Sequence, residues 1–432
     1  MNFAKFGLLA GVVAALLIAC PSGPPPPPPG PPPGPPPGPP PPPPPPATIS
    51  VDPTVLNAAG TPVSGASILL NGANLRTTGA NGKLSAPYTN VTPPYNLTVA
   101  LGTTILEYQG LQRTNPQISQ NGAVKSASIS GNVSGTSYPL PAGQGILIGS
   151  SNTTFFNSID ADATTGNYGP KTINWLGRDT TTDLVAVRFT RTGSAFTGFL
   201  QSGKRNGVTL QTGIGLTGLD ITLNAVVPSQ DATLTFDPGA YTNNVQSGLW
   251  NFRVDTATFI ENLNIPNGGS TRIPSAGGSF AVRGFDESGA SALIVVPAVL
   301  GGSTNISLPA TTLLKNGTPA SEETNVSRTP TLVWFPVSGT TLYQVKLDGN
   351  DKFYEFFLPG SVNSFTVPSY AAISAGLLGT TVYRWQVIAY KGAGFSPDNL
   401  TDAVNGNIPP LFLGASAIEQ FISSTTRFTT VP

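Results

Sequence analysis

From Pro21 to Pro46 the chain is proline throughout except at Ser22, Gly23, Gly30, Gly34 and Gly38. Proline locks φ and has no backbone N–H to donate, so neither a helix nor a sheet can run through this stretch. The tract is expected to adopt polyproline II at about 3.1 Å per residue, a reach of roughly 80 Å, with the glycines as joints. A collagen triple helix is excluded, because glycine does not recur at every third position. The chain is thereby divided into a short N-terminal segment, a stiff tether and a long remainder. A spacer that lifts the remainder off its attachment is the first reading of the tract. Docking of proline-recognising domains is the second.

Lys5 is the only charge ahead of an apolar stretch from Phe6 to Ala19. About 14 residues span roughly 20 Å as a helix, short of the roughly 30 Å hydrocarbon core, which suits an export signal better than a permanent span. The stretch ends in Leu17-Ile18-Ala19-Cys20, which resembles the lipobox of bacterial lipoproteins. The resemblance implies a signal peptide over residues 1–19, a cut before Cys20, and acylation of the Cys20 thiol. One acyl chain binds a bilayer only marginally, whereas the two or three of such a lipoprotein hold it firmly. The expected partner of Cys20 is therefore a membrane, and the expected location is extracytoplasmic. Pro21 rather than an acidic residue follows the cysteine, which favours the outer membrane or cell surface in a Gram-negative cell. An uncleaved anchor helix with an incidental cysteine is the alternative. Cys20 is the sole cysteine, so no disulfide forms within the chain and each core is stable by packing alone.

The remainder is short runs of Val, Ile and aromatic residues between Gly-, Thr-, Ser- and Asn-rich turns, and no amphipathic pattern of helical period extends past about ten residues. The fold class is all-β, expected as tandem β-sandwich modules after the signal peptide and a linker over residues 20–47. Charged residues make up 10% of the chain, with Lys+Arg and Asp+Glu equal at 21 each. No basic surplus exists to hold nucleic acid, and no polybasic cluster points to acidic lipid heads.

Four modules are expected, over 48–124, 125–226, 227–314 and 315–432. The first carries Gly60-Thr61-Pro62-Val63-Ser64-Gly65-Ala66, an apolar strand over Ser67–Leu70, a turn at Thr78-Gly79-Ala80-Asn81-Gly82 and Tyr95-Asn96-Leu97-Thr98-Val99. Asn81-Gly82 predicts a two-residue hairpin loop. These residues resemble carboxypeptidase regulatory-like domains, which implies a non-catalytic, transthyretin-like sandwich. The second module opens with Ser128–Val133 and contains the strand Leu184–Phe189. The third has Ala232–Phe236 and Phe280–Phe285. Similar module endings suggest a divergent array at a spacing of about 90 residues. The fourth carries Pro330–Val337, Leu342–Leu347, Ser364–Pro368 and Thr381–Tyr390. It resembles a fibronectin type III domain, which implies that Trp334 is the buried indole of an early strand. Period two puts Tyr383, Trp385 and Val387 on one face. About 30 residues then intervene before the last strand, a length uncommon for a loop unless it is functional or disordered. That segment includes a short helix expected over Ala415–Ile422.

Chemistry is sparsely supported. The chain has no histidine, and neither a G-x-S-x-G elbow nor an S-x-x-K occurs. Gly213–Gly218 spells G-x-G-x-x-G but leads into a strand, so no helix N-terminus meets a phosphate. Gly198–Lys204 spells most of a P-loop, but Arg205 stands where Ser or Thr is required. Asp160-Ala161-Asp162 lacks the spacing of a calcium loop and reads as a solvated turn. No catalytic residue, cofactor site or metal site is assigned.

The run Phe353-Tyr354-Glu355-Phe356-Phe357-Leu358 is the candidate site. On a strand, Tyr354, Phe356 and Leu358 share one face, and Phe353, Glu355 and Phe357 the other. A lone sandwich buries one face only. Phe353 and Phe357 are therefore covered by a neighbour or form an aromatic platform for a sugar or protein. The functional expectation is an envelope lipoprotein, not an enzyme, that displays β-sandwiches for binding, adhesion or scaffolding. Its partner would be an envelope protein or polysaccharide. The alternatives are a carbohydrate-binding or hydrolase-associated accessory and a structural part of the cell-surface layer.

Overall fold

Alternation along the backbone builds the strands. In the strand Lys125–Ser134, Ala127, Ile129 and Val133 are buried while the intervening serines are partly exposed. The computed structural model describes residues 47–57, 60–119, 125–151, 158–175, 179–402 and 417–432, without the side chain of Asn262. The signal segment, Cys20 and the proline tract lie outside the described residues. From there on the chain is all-β, folded as tandem β-sandwiches.

Near the start, the strands Ser67–Leu70 and Ala73–Thr77 form a tight hairpin, with Leu70 opposite Ala73. Its two loop residues are Asn71 and Gly72, both at positive φ (52° and 71°). This is the twist-matched loop that Asn-Gly favours. The expected hairpin at Asn81-Gly82 is instead a wider turn, closed by Gly79 N–H to Lys83 O at 2.8 Å and by the bridge between Thr78 and Leu84. Lys83 N–H also binds the Asn81 side chain at 3.0 Å, a local bond that competes with a tight hairpin. β1 (Tyr95–Leu101) and β2 (Thr104–Leu111) then pair antiparallel.

The next sandwich packs the strands Lys125–Ser134 and Asn167–Trp175 against Gln144–Ser150, Thr180–Thr192 and Ala195–Leu210. Ile129, Ile148, Tyr168, Trp175 and Leu210 fill its core. A further sandwich sets β3 (Asn243–Val254), β4 (Ala257–Asn264), β5 (Gly278–Phe285) and β6 (Ser291–Pro297) over a three-stranded sheet centred on Ser229–Asp237. Phe196 and Phe199 reach into it from the preceding long strand and meet Phe252 at 5.3 and 5.0 Å. In the last sandwich, the sheet of Asn316–Thr318, Thr331–Trp334 and Ser364–Thr366 faces β7 (Leu342–Gly349), β8 (Lys352–Pro359) and β9 (Val382–Lys391). Across this core Trp334 meets Tyr343 at 5.3 Å and Phe356 meets Phe365 at 4.4 Å. Trp334, Tyr383, Trp385 and Val387 are all buried. The arrangement is fibronectin type III-like.

After β9 come a single helical turn, α1 (Pro397–Leu400), then β10 (Ile418–Ile422) and β11 (Thr426–Thr430). The described part of the segment expected as a helix over Ala415–Ile422 is thus a strand. The physical reason is its setting: β10 lies between β9 and β6 and pairs antiparallel with both, which satisfies its backbone on each side and overrides local propensity.

Three links join the sandwiches through one continuous sheet. β10 links β9 to β6, the strand Gln144–Ser150 pairs with β4 at Ser150 and Thr258, and β8 pairs in parallel with β2, far away in sequence. Where β2 and β8 meet, the sheet is covered on both faces. Ile105 accordingly packs with the core of the last sandwich, while Leu106 and Tyr108 pack on the opposite side.

Candidate binding surfaces

The aromatic run of β8 splits into two fates. Tyr354, Phe356 and Leu358 are buried in the sandwich core. On the other face, Phe357 stands opposite Tyr108 of β2 and stacks on it with centroids 4.7 Å apart and planes 15° apart. It is 1% exposed. Phe353, on the same face four residues earlier, stands opposite the small Thr104 and stays 55% exposed. A ligand reaching this face meets Phe353 alone, because a neighbouring sandwich covers Phe357.

The segment after β9 covers the rest of that face. Phe395 packs on Tyr390 at 5.5 Å, and Leu400 is buried. Ser396 caps α1 by accepting from Asn399 N–H at 3.1 Å. Asp398 accepts the backbone N–H groups of Gln112 and Arg113 at 2.9 and 3.1 Å. Arg113 closes the contact with ion pairs to Asp402 at 2.8 Å and Asp398 at 3.4 Å. Residues 395–402 therefore clamp the first sandwich to the last, and residues 403–416 lie outside the described part.

On the other face of β2, Glu107 is buried. It accepts from the Tyr370 hydroxyl at 2.5 Å, Gln109 at 3.1 Å and Thr98 at 3.3 Å. Burial pushes its pKa up, against the pull of these donors.

A second surface lies on the outward face of β3, β5, β6 and β10, where a groove of about 570 Å³ opens. Register aligns its side chains. Gln246, Arg283, Leu293 and Gln420 stand opposite one another across the four strands, with Tyr390 of β9 next in the row. The adjacent row is Asn264, Gly248, Ala281, Val295 and Ile418, so the floor carries little side-chain bulk at Gly248 and Ala281. Trp250 sits where the register of β3 slips against both neighbours, between Leu249 and Asn251. A bulge re-aims its side chain, and here the indole packs at the groove's edge, half-buried. The Gln420 amide bonds the Tyr390 hydroxyl, which donates to Gln344 at 3.0 Å. Gln344 in turn donates to Glu355 at 3.1 Å.

Among the described residues, Arg283 is the only charged one lining the groove. Its guanidinium lies 4.8 Å from the Phe285 ring centroid. Among the described residues no carboxylate stands within ion-pair distance of it. No local pattern announces this groove, because its members come from strands whose register only the fold reveals.

The remaining motifs resolve as turns and strands. Gly215–Leu216 forms a short parallel bridge to the strand Lys125–Ser134. Gly198–Lys204 lies inside the long strand Ala195–Leu210. Asp162 accepts from the N–H groups of Thr164 and Thr165 at 2.9 and 2.8 Å, an Asx turn. Among the described residues no group of three or more His, Cys, Asp or Glu can hold a metal, and no helix is long and apolar enough to cross a membrane.

Glu261 of β4 is a carboxyl group whose pKa is shifted well upward. Burial, then the neighbouring Asp160 carboxylate, push its pKa up to about 7, while the Ser158 hydroxyl and Arg191 pull it down. The native state then holds a proton that the unfolded chain, near 4.5, has released. Stability from this group is complete below pH 4.5 and is lost as pH rises through about 7. Urea midpoints measured from pH 4.5 to 8 should fall over that window, and Glu261→Gln should flatten the fall.

No family model matches this chain, and no curated protein matches it. Among solved structures it is similar to an adhesin candidate from Bacteroides ovatus, at 7% identity over 44% of this chain and 94% of that one, with a TM-score of 0.17. It is also similar to the FN1-FN3 domains of chicken CNTN1, at 10% identity over 78% and 94%, with a TM-score of 0.16. Two B repeats of the collagen binding protein of Staphylococcus aureus match at 12% identity over 74% and 89%, with a TM-score of 0.14. At such TM-scores these likenesses bear on neither function nor site. The class rests on the fold itself, an array of β-sandwiches with fibronectin type III-like topology at its C-terminal end.

Proposed function

We propose that this chain is a non-enzymatic, extracytoplasmic binding protein. An acyl group on Cys20 anchors it, the proline tract spaces it, and fused β-sandwiches present a surface to an envelope protein or polysaccharide. In this reading residues 48–124 are a carboxypeptidase regulatory-like sandwich that contributes structure. The observation that carries the proposal is the open groove beside Trp250, held on a sheet whose strands are shared between sandwiches. Shared strands fix side chains from distant parts of the chain at constant spacing, which is what a display scaffold needs and what a flexible string of beads lacks. Exposed Phe353 offers a further apolar contact.

Two measurements test it. Mass spectrometry of native protein should find residue 20 as an acylated N-terminus, and Cys20→Ser should move the protein from the membrane fraction to the soluble fraction. An intact Met1 with an unmodified thiol ends the anchoring part. The full chain, screened against envelope glycans and proteins, should bind at least one saturably. Absence of any saturable binding overturns the display reading.

A further inference from the structure

The groove on the outward sheet face can be read more narrowly, and the narrower reading rests on the binding function just proposed. β3, β5, β6 and β10 are each paired on both sides. None of these four strands has an open edge, so an extended peptide cannot add to them through backbone hydrogen bonds. Recognition there falls to side chains, and their chemistry is specific. Trp250 supplies a partly buried ring at the groove's edge, of the type that stacks on the C–H face of a sugar. Gln246 and Asn264 are exposed amides that both donate and accept, as sugar hydroxyls do. Ala281 keeps the floor low enough for a ring to lie along it, while the Leu263 carbonyl of β4 fills the space over Gly248. The groove's volume of about 570 Å³ falls within the roughly 300–1,000 Å³ of ligand sites and has room for a short oligosaccharide.

Charge completes the assignment. Arg283 brings one positive charge to a groove with no acidic lining residue, and its nearest aromatic neighbour is a ring rather than a counter-ion. A guanidinium pairs carboxylates bidentately. We propose that this groove binds an acidic oligosaccharide, with Arg283 on a uronate or sialate carboxylate, Trp250 stacked on a sugar ring, and Gln246 and Asn264 on the hydroxyls.

Calorimetric titration of the full chain tests this. The probes are trigalacturonate, an oligomannuronate and sialyllactose, each beside its carboxyl-esterified form, together with an acidic peptide. At least one acidic sugar should bind saturably, and its ester should bind about tenfold more weakly, the scale of a charge-assisted hydrogen bond. Arg283→Gln should erase the preference for the acid over the ester. Trp250→Ala should abolish binding of both forms, and Trp250→Phe should restore part of it, which separates ring stacking from lost packing. Val226→Ser, at an exposed residue outside the groove lining, should leave the affinity unchanged.

The proposal is overturned if no acidic sugar binds, if the esters bind as tightly as the acids, if Arg283→Gln changes nothing, or if only the peptide binds. An envelope ligand whose affinity ignores both groove substitutions would overturn the groove assignment and leave the display function standing. A chain that binds nothing at all would end both.

Discussion

Phe357→Ala should lower the free energy of unfolding by about 3–5 kcal/mol, the cost of emptying a large aromatic site in a packed core. Urea denaturation followed by tryptophan fluorescence measures it. The ring is 1% exposed and stacks on Tyr108, so its removal strips one of the side-chain contacts that join the first sandwich to the last. Leu342, Ile388 and Tyr390 share the same cluster and would line the cavity. The substitution should also divide unfolding into two transitions, because β2 and β8 lose their main side-chain seam. Phe353→Ser is the matched control. Its side chain is 55% exposed opposite Thr104, so the change should stay within about 0.5 kcal/mol. Equal losses at the two positions would contradict the described pairing of β8 with β2.

Gly248→Ala should be the most disruptive single methyl group in the molecule's third sandwich. A Cβ there would lie 1.7 Å from the backbone oxygen of Leu263 and 2.7 Å from its carbonyl carbon. Backbone atoms cannot rotate away as a side-chain tip can, so β3 and β4 must part. Overpacking typically costs about 1–3 kcal/mol, and a backbone clash belongs at the upper end of that range or beyond. Because Gly248 also forms the groove floor, the same change should reduce ligand binding. Thermal melts and titration on one sample measure both effects. Gly289→Ala is the comparison: Gly289 adopts φ +83° but a Cβ there meets nothing within 4 Å, so only the modest strain of a left-handed residue remains.

How much of this was legible in the sequence depends on how local the cause is. The all-β class followed from short apolar runs and turn residues. The burial of Tyr383, Trp385 and Val387 followed from period two, and that of Trp334 from the resemblance to fibronectin type III domains. The hairpin was harder, because two Asn-Gly pairs compete in the first sandwich. Asn71-Gly72 turns the chain, while at Asn81-Gly82 the Asn81 side chain binds Lys83 N–H and widens the loop. β10 was misread as a helix because its own residues are ambiguous and its two partners, β6 and β9, decide the matter. Phe353 and Phe357 occupy equivalent places on one face, and only Thr104 and Tyr108, across a pairing no local pattern announces, tell them apart. The groove was invisible for the same reason. Gln246, Arg283, Leu293 and Gln420 become neighbours only through registers spanning four strands.

The parallel partnership of β2 with β8 also governs the order in which the chain can finish folding. Backbone groups along one side of β2 find their partners only after residues 352–359 have been made and delivered. Until then the N-terminal sandwich carries a bare strand edge, which is a template for any other extended chain. Contacts between such remote segments are slow to form. Fragments cut short before β8 should therefore self-associate, and during synthesis the early part of the molecule carries that open edge until its distant mate arrives.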